Sequence, residues 1–466
     1  MKKLAIEKLF IIIGFIVGCL FIYIIPPFQS PDEDSHFKKA YAISEGEFFP
    51  HSNGTIAGLK IPDTMQEYIQ EKLVAMSNRE WKYTYHDCYY DQLLPGEFSK
   101  KTLVEVSTSN TTPLAHIIPA IGIFFSKILS PVFVNGAPST ALMLYFARFF
   151  SLLAYLFIGY LAIKITPSFK KSMFTILLIP MSIFLGSMVS YDSLLISVSL
   201  LSIAMILNLI YNKKTKFDNK AFIVFTIIGY LLLNIKVIYA PLLALLIFVP
   251  NEKFKDNKKW KTYFKLGIII ILITIILKIP NTFLEVSSKE SLSSDQLIYV
   301  LTHPLSYLKI LLVNLKDQFW TQLYWMTGNF GLLDTYLPPL FIFIILINLV
   351  ITFITDGISE NIKISVKQKL MIIAIFIVGI VGMYTAMYIF WTADVFSKVG
   401  GNQITGVQGR YFLPLLILLP LLCSTDLFFK KKKLMDFSKT YFNYSVVVTI
   451  VCLSISIIVN MTRFWI

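Results

Sequence analysis

The sequence predicts an all-α, polytopic integral membrane protein: one membrane domain over residues 1–466, with about 11 transmembrane helices and polar segments on the outer face. Three observations carry this. The 466 residues are 56% hydrophobic and 15% charged, with mean hydropathy +0.67. Apolar runs recur at lengths that cross a hydrocarbon core of roughly 30 Å. Lysines gather in short segments between those runs, as Lys170-Lys171, Lys213-Lys214-Lys216, Lys253 through Lys265 and Lys430 through Lys433. The formal charge of +14 is therefore a positive-inside pattern with an attraction for anionic headgroups, not a nucleic-acid footprint. Cys19, Cys423 and Cys452 lie in apolar runs and only Cys88 in a polar one, so no disulfide framework is implied.

Leu9 to Ile25 is uncharged and follows Lys2, Lys3 and Lys8, which places the N-terminus in the cytoplasm. No small-residue cleavage site follows, so the run is a first span and not a signal peptide. The first outer loop, 26–112, begins Pro26-Pro27-Phe28-Gln29-Ser30-Pro31-Asp32-Glu33-Asp34-Ser35-His36-Phe37. Ser30 and Glu33 have capping-box spacing with Pro31 at the first helical position, and the helix runs through Phe37, Tyr41 and Ser44 to Gly46 as C-cap. Trp81, Tyr83, Tyr85, Tyr89 and Tyr90 suit a lid at headgroup level, where Cys88 would report sidedness to an impermeant thiol reagent. For 113–130, crossing and interfacial placement both fit the length. Charge bias favours an interfacial or re-entrant helix.

Spans follow at roughly 140–163, 172–190, 193–211, 220–236, 237–250, 262–280, 338–355, 369–391, 410–428 and 441–460. Between them lie a second outer loop, 281–337, with an amphipathic stretch near Leu305–Leu315, and a third, glycine-rich one at 392–409. No internal repeat is evident, which weighs mildly against a transporter built from inverted halves.

The ionisable residues at the outer span ends are the candidates for chemistry. Asp32 and His36 share a helical face that capping does not explain, whereas Glu33 is readily absorbed as a cap. Asp192 in Ser190-Tyr191-Asp192-Ser193 reads equally as a cap or a functional acid. Lys236 sits on the side that the charge rule disfavours, where it either meets an anion such as a lipid phosphate or snorkels to the headgroups. Arg410 follows Gly406-Val407-Gln408-Gly409, a setting for bidentate phosphate binding with backbone N–H groups of the glycine loop assisting. Arg148, within an apolar run, needs a partner. Asp32 and Asp34 have the DxD form that holds a divalent ion, so Mg or Mn enters only if the reaction is metal-dependent; no other cofactor is indicated. Walker A, HExxH and GxSxG patterns are absent.

The segments PPFQSPDEDSHFKKAYAISEG, TPLAHIIPA, SYDSLL, KVIYAPLLALL, WMTGNFGLLDTYLP and GVQGRYFLPLL run in order through nearly the whole chain. Together they resemble the DUF2142 family of bacterial polytopic membrane proteins, relatives of the GT-C glycosyltransferases. The resemblance implies a multi-pass bacterial cell-membrane enzyme with an extracytoplasmic active site. It would move sugar from a polyprenyl-phosphate carrier to a cell-envelope glycan or teichoic-acid polymer. Asp32 would be the catalytic base, supported by Glu33 and His36. Lys236, Arg410 and Tyr411 would meet the donor phosphate, and Asp192, Tyr239, His116, Trp325 and Gln408 would line the substrate path. His116 stands where relatives are tyrosine-rich. Trp320, Tyr324 and Trp325 suit a sugar platform or a headgroup belt equally. Expected partners are the lipid-linked sugar, the envelope-polymer acceptor, the bilayer, a sugar-carrier synthase and a flippase, with no nucleic acid. A flippase or exporter, or a ligase of lipid-linked saccharides, is the alternative.

Overall fold

Helix α1 (Ile6–Ile24) ends against two prolines, and that ending organises the molecule. Pro26 and Pro27 have no N–H to return to Ile22 and Tyr23, so the last carbonyls of α1 need other donors. In the computed structural model, which describes residues 4–93, 97–133, 138–282, 292–359, 362–424 and 432–466, Arg148 donates to Ile22 O, Ile25 O and Pro26 O, and Trp465 Nε1 to Ile24 O. Lys430 and Lys431, the start of the second outer loop and the end of the 410–428 run lie outside the described residues.

The polar segment after α1 folds over this junction. It contains α2 (Glu33–Ser44), β1 (His51–Ser52), β2 (Ala57–Pro62), α3 (Asp63–Ser77), α4 (Tyr85–Leu93) and β3 (Lys101–Val104). β2 pairs antiparallel with β1 and β3, in the register Leu59↔Val104 and Ile61↔Thr102. Phe28, Phe37, Tyr41, Leu59, Ile61, Met65 and Ile69 form its core, continuous with residues of the two helices that follow. Gly46, at φ +86°, closes α2 in the left-handed conformation expected of it. Cys88 is 2% exposed and lies beside Tyr145, so burial removes it as a reporter of sidedness.

Helix α5 (Ile117–Phe133) packs antiparallel on the N-terminal half of α6 (Thr140–Ile165), with Gly122 against Phe146 and Ile118 near Ser151. α1 takes the rest of α6, down to Gly159 beside Phe10. Ile117–Val132 is apolar but shorter than the helices counted as spans.

Deeper segments are α7 (Lys170–Leu177), α8 (Pro180–Gly186), α9 (Tyr191–Tyr211), α10 (Asn219–Ile235), a 3₁₀-helix (Val237–Phe248) and α11 (Lys259–Thr282). Then come α12 (Ser293–Thr302), α13 (Pro304–Gly328), β4 (Asn329–Phe330), β5 (Thr335–Tyr336) and α14 (Pro339–Ser359). α15 (Val366–Met387), α16 (Ala393–Phe396), a second 3₁₀-helix (Gly409–Leu415), α17 (Leu418–Leu422) and α18 (Lys432–Phe464) complete the chain. Among the described residues, seven helices are long and apolar enough to cross a membrane, or eight if the α12–α13 pair, bent by 105°, is one span. Where the sequence reads further spans at 172–190, 237–250 and 410–428, proline intervenes. Pro180 divides α7 from α8, Pro241 sits in the first 3₁₀-helix and Pro414 in the second. α10 is apolar but only 17 residues long.

Candidate functional site

The acidic stretch after α1 does two separate jobs. Glu33 is fully buried and does not close a capping box on Ser30: helix α2 starts at Glu33, and Asp32 is the N-cap residue. Both Glu33 oxygens accept from Arg148, Oε1 from Nε at 2.8 Å and Oε2 from Nη2 at 2.6 Å. Oε1 also accepts from the Val189 amide at 3.0 Å. The same guanidinium donates to Ile25 O at 2.6 Å and Pro26 O at 2.9 Å. One buried ion pair therefore ties α1, α2, α6 and the turn before α9 together, and answers where Arg148 finds its partner. The local capping signature loses because a buried arginine with no carboxylate costs far more than an uncapped amide. Glu33 lies behind the site and not in it.

Asp32 is different. Its side chain is 56% exposed, and its backbone is left-handed, φ 60° and ψ 11°, a conformation that aspartate tolerates but rarely adopts. Arg410, 3% exposed, reaches it from the far end of the chain, Nη2 donating to Oδ2 at 2.6 Å. Arg410 Nε also lies 3.2 Å from Asp192 Oδ2, an ion pair by distance whose N–H is not aligned for a hydrogen bond. Lys236 Nζ donates to Asp192 Oδ1 at 3.2 Å and stands 3.5 Å from the centre of the Tyr411 ring. The order Asp32–Arg410–Asp192–Lys236 is a chain of alternating charge, exposed at Asp32, buried at Arg410 and Asp192, and partly exposed again at Lys236. Ser190, not Asp192, caps α9, which leaves the Asp192 carboxylate to the two cations. Lys236 is turned inward to this chain and does not snorkel.

His36, one turn beyond Asp32, is buried, with Nδ1 2.8 Å from Nε2 of His116 and its ring edge-on to Tyr191. Burial pushes the His36 imidazole down to about 4 and holds His116 well below its ordinary value. Two neutral rings thus share one proton. Between pH 6.5 and 4 the unfolded chain carries a proton on His36 that the folded chain lacks, so stability is full above 6.5 and declines as pH falls through that window. The melting temperature of detergent-solubilised protein is expected to drop across it, by the equivalent of about 3 kcal/mol for His36. His36→Gln should remove that share of the slope; an unchanged slope would contradict the assignment.

The other sequence candidates divide. Tyr411 sits under Lys236, and Gln408 Oε1 is buried with no hydrogen-bond partner among the described residues. Tyr239 is spent on Tyr411 O at 2.7 Å. Trp325 is half-buried on α13, where its backbone abuts Gly409; a Cβ on Gly409 would fall 2.3 Å from Gln322 O. Close packing on α13, and not anion contact, is thus what requires that glycine. Trp320 is 66% exposed and Tyr324 donates to Leu337 O, so the aromatic run does not gather at the site. Asp34 accepts from Lys38 at 3.3 Å, whereas Asp32 pairs with Arg410. Among the described residues no cluster of three His, Cys, Asp or Glu side chains stands ready for a metal.

Two features escape the sequence reading. Tyr191 lies beneath both His36 and Lys236. Asn314, Gln318 and Gln322, spaced at four along α13, bond the backbone of Asn402, Ile404 and Val407, strapping the loop that delivers Arg410. That amide period is visible in the sequence, although its partner strand is not.

Fold and site together define a polytopic helical membrane protein with an ionisable cluster where its first span ends. Residues 15–419 match the family described as predicted membrane protein (DUF2142), and the chain belongs to that family. No curated protein and no solved structure matches it.

Proposed function

We propose that this protein is a GT-C-like glycosyltransferase of the bacterial cell membrane. It takes a sugar from a polyprenyl-phosphate carrier and adds it, on the outer face, to a cell-envelope glycan or teichoic-acid polymer. The observation that carries the reading is the exposed, left-handed Asp32 carboxylate anchored on a buried arginine at the end of the first span. A non-glycine residue held in the left-handed region is a recurrent mark of a functional position.

In the proposed step an acceptor hydroxyl attacks the anomeric carbon and its proton passes to the Asp32 carboxylate. The new C–O bond forms as the bond to the carrier phosphate breaks, and its electron pair leaves on the phosphate oxygen. Arg410 and Lys236 balance that charge. A single displacement inverts the anomeric centre. Arg410 then has two anions to serve, Asp32 and the phosphate. Donor binding draws the guanidinium toward phosphate and leaves Asp32 a freer base.

Arg410→Ala and Lys236→Ala should raise the donor KM by about tenfold or more, with folding followed by melting temperature. Arg410→Lys keeps the charge but not the planar fork, so it should restore folding without restoring donor use. Ordinary donor use by both alanine variants would remove the phosphate site. Thr55, exposed in the cap turn, replaces Cys88 as reporter of sidedness. Thr55→Cys is expected to react with an impermeant maleimide in intact cells, and reaction only after lysis would put the site on the cytoplasmic face.

A further inference from the structure

Two turns along α2 from Asp32, a shallow cleft lies between the cap and the ends of α10 and α11. Lys39 forms its back wall and is fully buried. Its ammonium donates to Phe48 O and to Ser109 O, both at 2.9 Å, which uses two of three N–H groups. Among the described residues no carboxylate faces it, and burial holds the amine down at about 8. A buried cation without a counter-ion is costly, so an anion in the cleft would complete it. Lys278 adds a second positive charge to the lining, and among the described residues no acid lines the cleft.

The remaining lining suits hydroxyl groups. Asn234 donates to Tyr230 O and Thr274 Oγ1 and Thr111 to Thr108 O, so both offer acceptor oxygens to a hydroxyl, beside the Asn110 amide; Asn281 Oδ1 is buried with no donor among the described residues. Phe48, 44% exposed, and Phe49 supply an apolar edge of the kind that a carbon backbone between hydroxyls packs on.

We propose that this cleft binds an anionic, hydroxyl-rich segment, a polyol phosphate, with the phosphate at Lys39 and Lys278 and the hydroxyls on the amides. As the acceptor subsite this rests on the transferase reading, since it would lead the next hydroxyl along α2 toward Asp32. As a binding site it does not. Glycerol phosphate chemistry also occurs in phosphatidylglycerol headgroups, and the test separates the two sources.

Full-length protein in phosphatidylcholine nanodiscs is titrated with a short glycerol-phosphate oligomer by calorimetry. Saturable binding is expected, weakened about tenfold or more in Lys39→Gln and likewise in Lys278→Glu. Lys278 is exposed, so its variant tests the cleft even if Lys39→Gln fails to fold. Absence of oligomer binding, or equal binding by wild type and Lys278→Glu, overturns the proposal. So does binding of phosphatidylglycerol in nanodiscs with none of the soluble oligomer, which would assign the cleft to lipid. Oligomer binding without sugar transfer would keep the cleft and remove the transferase reading.

Discussion

Glu33→Gln is expected to destroy the folded protein, although the exchange is isosteric and leaves a helix start intact. The substitution leaves Arg148, at 0% exposure, with carbonyl partners but no counter-charge. Breaking a buried ion pair from one side costs about 3–5 kcal/mol, a large share of the roughly 5–15 kcal/mol that holds a domain folded. Had Glu33 been a capping residue, the cost would be near 1 kcal/mol. Yield and melting temperature in detergent distinguish the two. The pair Glu33→Gln with Arg148→Met should recover part of the loss, because it removes the orphaned charge, while Ile25 O and Pro26 O still lose their donor. A wild-type melting temperature for Glu33→Gln alone would show that the clamp is not what holds α1, α2 and α6 together.

Asp32→Asn is the complementary case, with folding kept and activity lost. Asparagine accepts the left-handed backbone at this position as readily as aspartate, and the side chain is more than half exposed, so little stability is at stake. The amide still accepts a hydrogen bond from Arg410 but takes no proton. Loss of a general base typically lowers the rate by about 10²–10⁴. Asp32→Ala is the poorer probe, because alanine in a left-handed position adds strain to the missing carboxylate. Neighbouring acids one residue apart are thus expected to fail in opposite ways.

That contrast marks the limit of what the sequence discloses. Membrane class, the C-cap at Gly46 and the unusual placement of Asp32, Asp192, Lys236 and Arg410 are all legible, because hydropathy and misplaced charge are local signals. The geometry that joins those four residues is not, since Asp32 and Arg410 are 378 positions apart. The Ser30–Glu33 spacing satisfies a capping box on paper, and only Arg148, 115 residues on, shows that a stronger partner claims the glutamate. His36 and His116 look like isolated histidines until the fold stacks them. The span reading fails to hold its full length where proline interrupts hydrophobic runs, at Pro180 and Pro241, since hydropathy counts residues and not continuous helix. The strands of the cap go unread because β1 has two residues and β3 four, too short to show alternation, and most of the six residues of β2 are buried, on both faces, and do not alternate.

The most direct test is transfer by purified protein in nanodiscs, supplied with a polyprenyl-phosphate-linked radiolabelled sugar and envelope polymer. Wild type is expected to move label to polymer with inverted anomeric configuration, releasing one carrier phosphate per sugar. Asp32→Asn is expected to bind the donor and leave it intact. Transfer by Asp32→Asn at the wild-type rate, or passage of intact donor across a bilayer by wild type with no glycosyl bond broken, would contradict the account.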